Sequence, residues 1–171
     1  MMKMTSAYAN KVLRKLDDDK NYWRNKEQEG AFYVAALDEE PVIPEYNYSE
    51  VMAIIEEIDE KIVKIKHAVN LANLNHYLTV GDKTMTVDQI LIRMTQLNRR
   101  KITLDNMRKQ QPKMRIGSVG YSVRKTTPEY RYINYDLEAV KVDYERIDKE
   151  IAEMQMALDK YNQTFEFEVD I

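Results

Sequence analysis

The sequence predicts a mainly α fold: an antiparallel bundle of three to four long helices, with a small β-arm between helices 3 and 4. A short β element is expected at 77–86, and another at the C-terminus. Three observations point there. Charged residues make up 32% of 171, while Gly and Pro number four each, the profile of a helical protein with few turns. Two long segments carry apolar residues at alternating steps of three and four, the heptad spacing of a helix seam. Between and after them the period drops to two, the spacing of strands. The length suits a single helical domain, 1–171.

Residues 5–29 read as the first helix. Thr5 or Ser6 serves as its cap, and Gly30 as its stop. Tyr8, Val12, Leu16 and Trp23 fall on one face, with Leu13 beside them. Asp17-Asp18-Asp19 does not form a metal site, because consecutive helical residues point about 100° apart. Residues 31–48 hold Pro41 and Pro44 and read as a connector, irregular from Leu37 to Tyr46, with an extended piece at Phe32–Ala35.

The second helix, 49–76, opens on Ser49 as cap, with Glu50 at the positive end of the helix. Val51, Ile55, Ile58, Ile62, Ile65, Val69, Ala72 and His76 form its seam. Gly81-Asp82 supplies a tight turn within 77–86. Thr86-Val87-Asp88-Gln89 then reads as a capping box, with Met85 and Ile90 as its staple. It opens the third helix, 87–110, whose inward residues are Ile90, Met94, Leu97, Leu104 and Met107.

Residues 113–135 predict a two-stranded β-arm with its loop at Gly117–Gly120 or at Lys125–Pro128, the second being favoured. The fourth helix, 136–161, is capped by Asn134 or Asp136. Its seam is Leu137, Val140, Tyr144, Ile147, Ile151, Met154, Leu158 and Tyr161. Phe165 to Ile171 alternates strictly and reads as an edge strand. It is expected to add to the 77–86 turn or to a neighbouring subunit.

Charge is segregated along the chain. Arg93 to Arg131 holds eleven Lys/Arg against two acids, a net of +9 in a chain whose total is −3, so the remainder carries −12. On the arm, Arg115, Tyr121, Arg124, Lys125, Tyr130, Arg131 and Tyr132 combine cations for phosphates with rings for stacking bases. These seven are the candidate contact residues for a partner or a nucleic acid. The bland reading is that the acidic remainder pairs with the basic stretch within or between subunits.

Enzyme chemistry finds no footing in the motifs. There is no Cys, no nucleophile elbow, no Walker or dinucleotide pattern and no His-Glu-x-x-His. The Gly-Asp-Lys-Thr string at 81–84 lacks the paired glycines of a phosphate loop. The two histidines, His67 and His76, are nine apart, so they offer no metal-binding pair. No catalytic residue, metal ligand or cofactor is expected. No apolar run approaches the roughly 20 residues of a bilayer span. No secretory signal opens the chain, and a cytoplasmic setting is expected.

The pieces at Asn70 to Asn75, Thr84-Met85-Thr86, Gly120 to Ile133 and Leu158 to Phe167 resemble a family of small bacterial proteins called septicolysin-like. The resemblance covers roughly residues 50 to 168. The chain departs from it in the Pro-containing connector and at Met85, where the family favours Leu. The resemblance implies a fold and no catalytic site. The family name implies a cytolysin, but no amphipathic hairpin long enough to cross a bilayer is evident. The expected function is therefore a non-enzymatic interaction or assembly protein, self-associating through its heptad seams as a homo-oligomer. The alternative is nucleic-acid binding by the arm.

Overall fold

The computed structural model describes residues 1–116 and 127–171. The element order is β1 (Met2–Thr5), α1 (Ser6–Gly30), α2 (Tyr48–Asn75), β2 (Tyr77–Val80), β3 (Lys83–Thr86), α3 (Val87–Arg108), β4 (Lys113–Arg115), β5 (Tyr130–Tyr132), α4 (Leu137–Thr164) and β6 (Glu166–Val169). The protein is mainly helical, with four helices and small two-stranded sheets pairing β1 with β6, β2 with β3 and β4 with β5. The chain forms two compact units. The first comprises Met1–Leu78, Thr86–Asp88 and Leu158–Ile171, and the second Thr79–Met85 and Gln89–Ala157.

In the first unit, α1 begins where the Thr5 hydroxyl accepts the amide of Tyr8 at 3.2 Å. Val12, Leu13, Leu16 and Trp23 turn inward as expected, but Ala9 takes the place expected for Tyr8. Ala9 is fully buried, while Tyr8 is 47% exposed. From Ala9 a half-buried line runs through Leu13, Leu16, Lys20, Trp23 and Glu27 at steps of four and three, with Val12 beside it. Polar side chains masked this seam, and each has a partner. Lys20 Nζ pairs with both Asp59 oxygens at 2.5 and 2.8 Å, and Glu27 Oε1 accepts the Tyr46 hydroxyl at 3.4 Å.

Gly30 does end α1, but not as a left-handed cap, for Ala31 follows in right-handed helical geometry (φ −67°, ψ −21°). The glycine is required by close approach. A Cβ there would lie 2.6 Å from Tyr46 Cβ. The extended piece expected at Phe32–Ala35 is irregular coil, with no strand paired to it among the described residues.

Asn47, rather than Ser49, caps α2. Its Oδ1 accepts the amides of Ser49 and Glu50 at 3.1 and 3.3 Å, since the helix already starts at Tyr48. The α2 seam turns inward as expected, with Val51, Ile58 and Ile65 buried. Val12, Leu13 and Leu16 meet Ile65, Ala68 and Val69 in one apolar cluster, and Lys20 meets Asp59. Helices α1 and α2 therefore run antiparallel.

The cluster is closed by Met4 and Val169, one from each strand of an antiparallel ribbon. Its register sets Met2 opposite Val169, Lys3 opposite Glu168, Met4 opposite Phe167 and Thr5 opposite Glu166. This corrects the expectation for the tail strand. Within the chain it pairs not with the 77–86 turn but with β1, four residues whose own alternation of Met with Lys and Thr suits a half-buried strand. Beside it, the His76 ring packs against Tyr161 and Phe165 at centroid distances of 4.9 and 4.1 Å. Burial raises the Tyr161 phenol above its ordinary value, opposed by the nearby Ser6 hydroxyl. The geometry favours Asn73 as the phenol's partner, since Tyr161 donates to Asn73 Oδ1 at 3.2 Å and the buried Ser6 oxygen makes no hydrogen bond.

The β2–β3 turn forms at Gly81-Asp82, with Gly81 at φ +60°, where an L side chain is strained. In the second unit, Ile90, Leu97 and Leu104 of α3 and Val140, Ile147 and Met154 of α4 are buried, matching the predicted inward positions. Asp136 caps α4 through the amides of Glu138 and Ala139 at 2.9 and 3.3 Å. Arg93 pairs with Glu150 and Arg108 stacks on Tyr144, so α3 and α4 also run antiparallel. α4 continues to Thr164, three residues beyond the predicted end.

Candidate functional site

The β-arm forms where the sequence places it, with β4 paired to β5; the expected loop positions, Gly117–Gly120 and Lys125–Pro128, fall wholly or partly outside the described residues. Lys113 faces Tyr132, Met114 faces Arg131 and Arg115 faces Tyr130. The ladder is prolonged at both ends by backbone bonds from Ile116 N to Glu129 O (2.9 Å) and from Ile133 N to Pro112 O (3.2 Å). Among the seven predicted contact residues, Arg115, Tyr130, Arg131 and Tyr132 come together here, all exposed. Tyr121, Arg124 and Lys125 lie outside the described residues.

Strand alternation sorts the arm into two faces. Lys113, Arg115, Tyr130 and Tyr132 share one, and Met114 and Arg131 share the other. Lys113 was not among the predicted contacts, yet it holds the centre of the first face. Its ammonium lies 4.3 Å from the Tyr130 ring centroid and 5.6 Å from that of Tyr132. Cations attract ring faces at such distances. The matching alternation of Lys113-x-Arg115 with Tyr130-x-Tyr132 was the signal for it. On the other face Arg131 donates to Gln110 Oε1 at 2.7 Å.

The basic residues of α3 are more engaged. Arg93 reaches Glu150 at 3.3 Å, and Lys101 pairs with Asp148, which raises the Lys101 ammonium above its ordinary value. Lys109 and Arg108 both bond Asp105 (2.5 and 2.7 Å). Lys109 first and Arg108 second hold the Asp105 carboxyl below the usual carboxylate range. Arg108 also lies 3.8 Å from the Tyr144 ring centroid. Within the +9 stretch, Arg93 and Lys101 are thus paired with acids of α4, and Arg108 and Lys109 with Asp105. Arg99, Arg100 and Arg115 have no ion pair among the described residues.

A second feature was not foreseen. An open groove of about 480 Å³ runs between α2 and β6, walled by Lys64, His67, Leu71 and Asn75 on one side and by Phe165 to Asp170 on the other. It is predominantly apolar, and β1 contributes nothing to its wall. The sequence hid it because it depends on which strand the tail chooses. Among the described residues no group of His, Asp and Glu is arranged to hold a metal ion, and no helix is long and apolar enough to cross a membrane.

A mainly helical fold with antiparallel ribbons is the class these features define. No protein-family model matches the chain, and no curated protein matches it. Among solved structures it is similar to a functionally unknown conserved protein from Corynebacterium diphtheriae, at 15% sequence identity and a TM-score of 0.63. That likeness covers 98% of this chain and all of the other. At such identity it shows a shared fold and nothing of the site.

Proposed function

We propose that this is a non-enzymatic interaction and assembly protein that associates with copies of itself. One observation carries the reading: an apolar stripe on α2 that the chain leaves uncovered. Val63, Leu71 and Leu74 are 65%, 46% and 53% exposed. Their spacing, with His67 between them, places them on one helix face, away from the seam. The seams of α2 and α4 are covered within the chain, so the stripe, not a seam, offers surface to a partner. Exposed apolar strips of this kind mark interaction sites, and this one borders the groove beside β6. A cytoplasmic setting accords with the absence of Cys. Light scattering at micromolar concentration tests the reading. Association is expected, and Leu71→Glu with Val63→Glu should return the chain to monomer. A wild-type chain that is monomeric throughout overturns it.

Nucleic-acid binding stands second because the arm places two cations and two tyrosines on one exposed face. Fluorescence anisotropy with a single-stranded oligonucleotide tests it. Affinity should fall steeply with salt and be lost in Arg115→Ala with Tyr132→Ala. The cytolysin that the septicolysin-like resemblance implies would require dye release from liposomes, and its absence retires that reading.

A further inference from the structure

The outer edge of β6 is an unfinished sheet edge. β1 occupies one side of it. The groove lies along the other, where no backbone hydrogen bond beyond the β1 ladder reaches Glu166 to Val169 among the described residues. Strand geometry directs the backbone donors and acceptors of alternate residues toward that side, as a template for another strand.

The side chains specify which strand. Glu166, Glu168 and Asp170 are exposed, while Phe167 and Val169 turn inward. The strand already accepted, β1, shows the complementary pattern. It sets Lys3 against Glu168 and methionines against Phe167 and Val169. A second β6 would place acids opposite acids, which opposes pairing.

One other described segment has the required alternation. Lys113-Met114-Arg115-Ile116 carries cations at alternate positions and apolar side chains between them. β4 is paired with β5 on one edge, and no backbone hydrogen bond occupies its other edge among the described residues.

We propose that the β6 edge of one copy receives the β4 edge of a second copy. In that pairing Lys113 and Arg115 oppose the acids of β6, while Met114 and Ile116 enter the groove over Leu71. The alternation matches whichever way the strands run. Main-chain bonds supply affinity and the charge pattern supplies the register. The inference rests on the self-association proposed above and names its contact. β4–β4 and β6–β6 contacts are disfavoured by like charge, so the association joins unlike surfaces.

Paired charge reversals on the full chain test it, with the mass distribution followed by sedimentation velocity. Glu166→Lys with Glu168→Lys should weaken self-association about tenfold or more. Lys113→Glu with Arg115→Glu should do the same, and this exposed pair keeps the test valid if the β6 variant folds poorly. Mixing the two variants should restore association, because each then finds an opposite edge. A monomeric wild type overturns both the contact and the assembly reading. Association that survives both reversals, or two weakened variants that do not rescue each other, overturns the contact alone. So does a Lys113→Glu, Arg115→Glu chain that loses oligonucleotide binding while still associating, since that assigns the arm to nucleic acid.

Discussion

Each unit pairs two antiparallel helices with an antiparallel ribbon, yet the two are held together differently. In the first unit, the β1–β6 ribbon buries Met4 and Val169 at 2% exposure each, and its helices meet through an aliphatic cluster beside the Lys20–Asp59 ion pair. In the second, every residue of β4 and β5 is exposed, and ion pairs bridge the helices alongside the buried seam. One ribbon is built into a core. The other is carried on the surface. Alternation alone therefore does not tell a core ribbon from a surface ribbon. What separates them is the intervening residue: Met, Phe and Val face a core in the first ribbon, whereas the second interleaves tyrosines and cations.

The largest test of that contrast is Met4→Ala. Removing a fully buried thioether side chain should lower the unfolding free energy by about 2–5 kcal/mol, read by chemical denaturation. A loss as small as that of a surface substitution would break the contrast. Gly30→Ala comes next. Its methyl group would meet Tyr46 Cβ at 2.6 Å, and the forced shift should destabilise by about 1–3 kcal/mol. Wild-type stability there would mean that the connector yields freely.

Acid should act on the second unit through Asp105. Its folded-state value is lowered by Lys109 and Arg108. The associated stability is thus present above the ordinary carboxylate range and is lost as pH falls through the folded value. A carboxyl-carbon titration by NMR should place the Asp105 midpoint below that of a free aspartate, and an ordinary midpoint would dissolve the pairing. The smallest effect belongs to the arm. Tyr130→Ala should change stability by no more than about 0.5 kcal/mol. A larger loss would make the arm a part of the core after all.

What the sequence made legible was local. The seams of α2 and α4 turned inward because an unbroken three-and-four spacing of Ile, Val and Leu has few other meanings. The Gly81 turn and the Asp136 cap followed from residues within four positions of each other. Along α1 the expected Val12, Leu13, Leu16 and Trp23 turned inward, but Ala9 stood in for Tyr8, and Lys20 and Glu27 went unread as seam positions because only Asp59 and Tyr46 explain them. β1 went unseen because four residues carry little period and their partner lies more than 160 residues away. The groove depended on that pairing and was hidden with it. The arm was half legible: its composition and place were clear, but its register required Lys113 to be set against Tyr132.

The pairing of β1 with β6 also bears on the order in which the chain folds. Joining Met4 to Phe167 closes a loop that contains nearly everything between them, and the entropy lost in closing a loop rises with its length. The helix pairs and the hairpin at Gly81 rest on much shorter separations. They are expected to form early, with the ribbon last. Until then Ala9 and Ile65 lack their cover of Met4 and Val169. Pulse-labelled hydrogen exchange should therefore show the amides of α3 protected before those of β6.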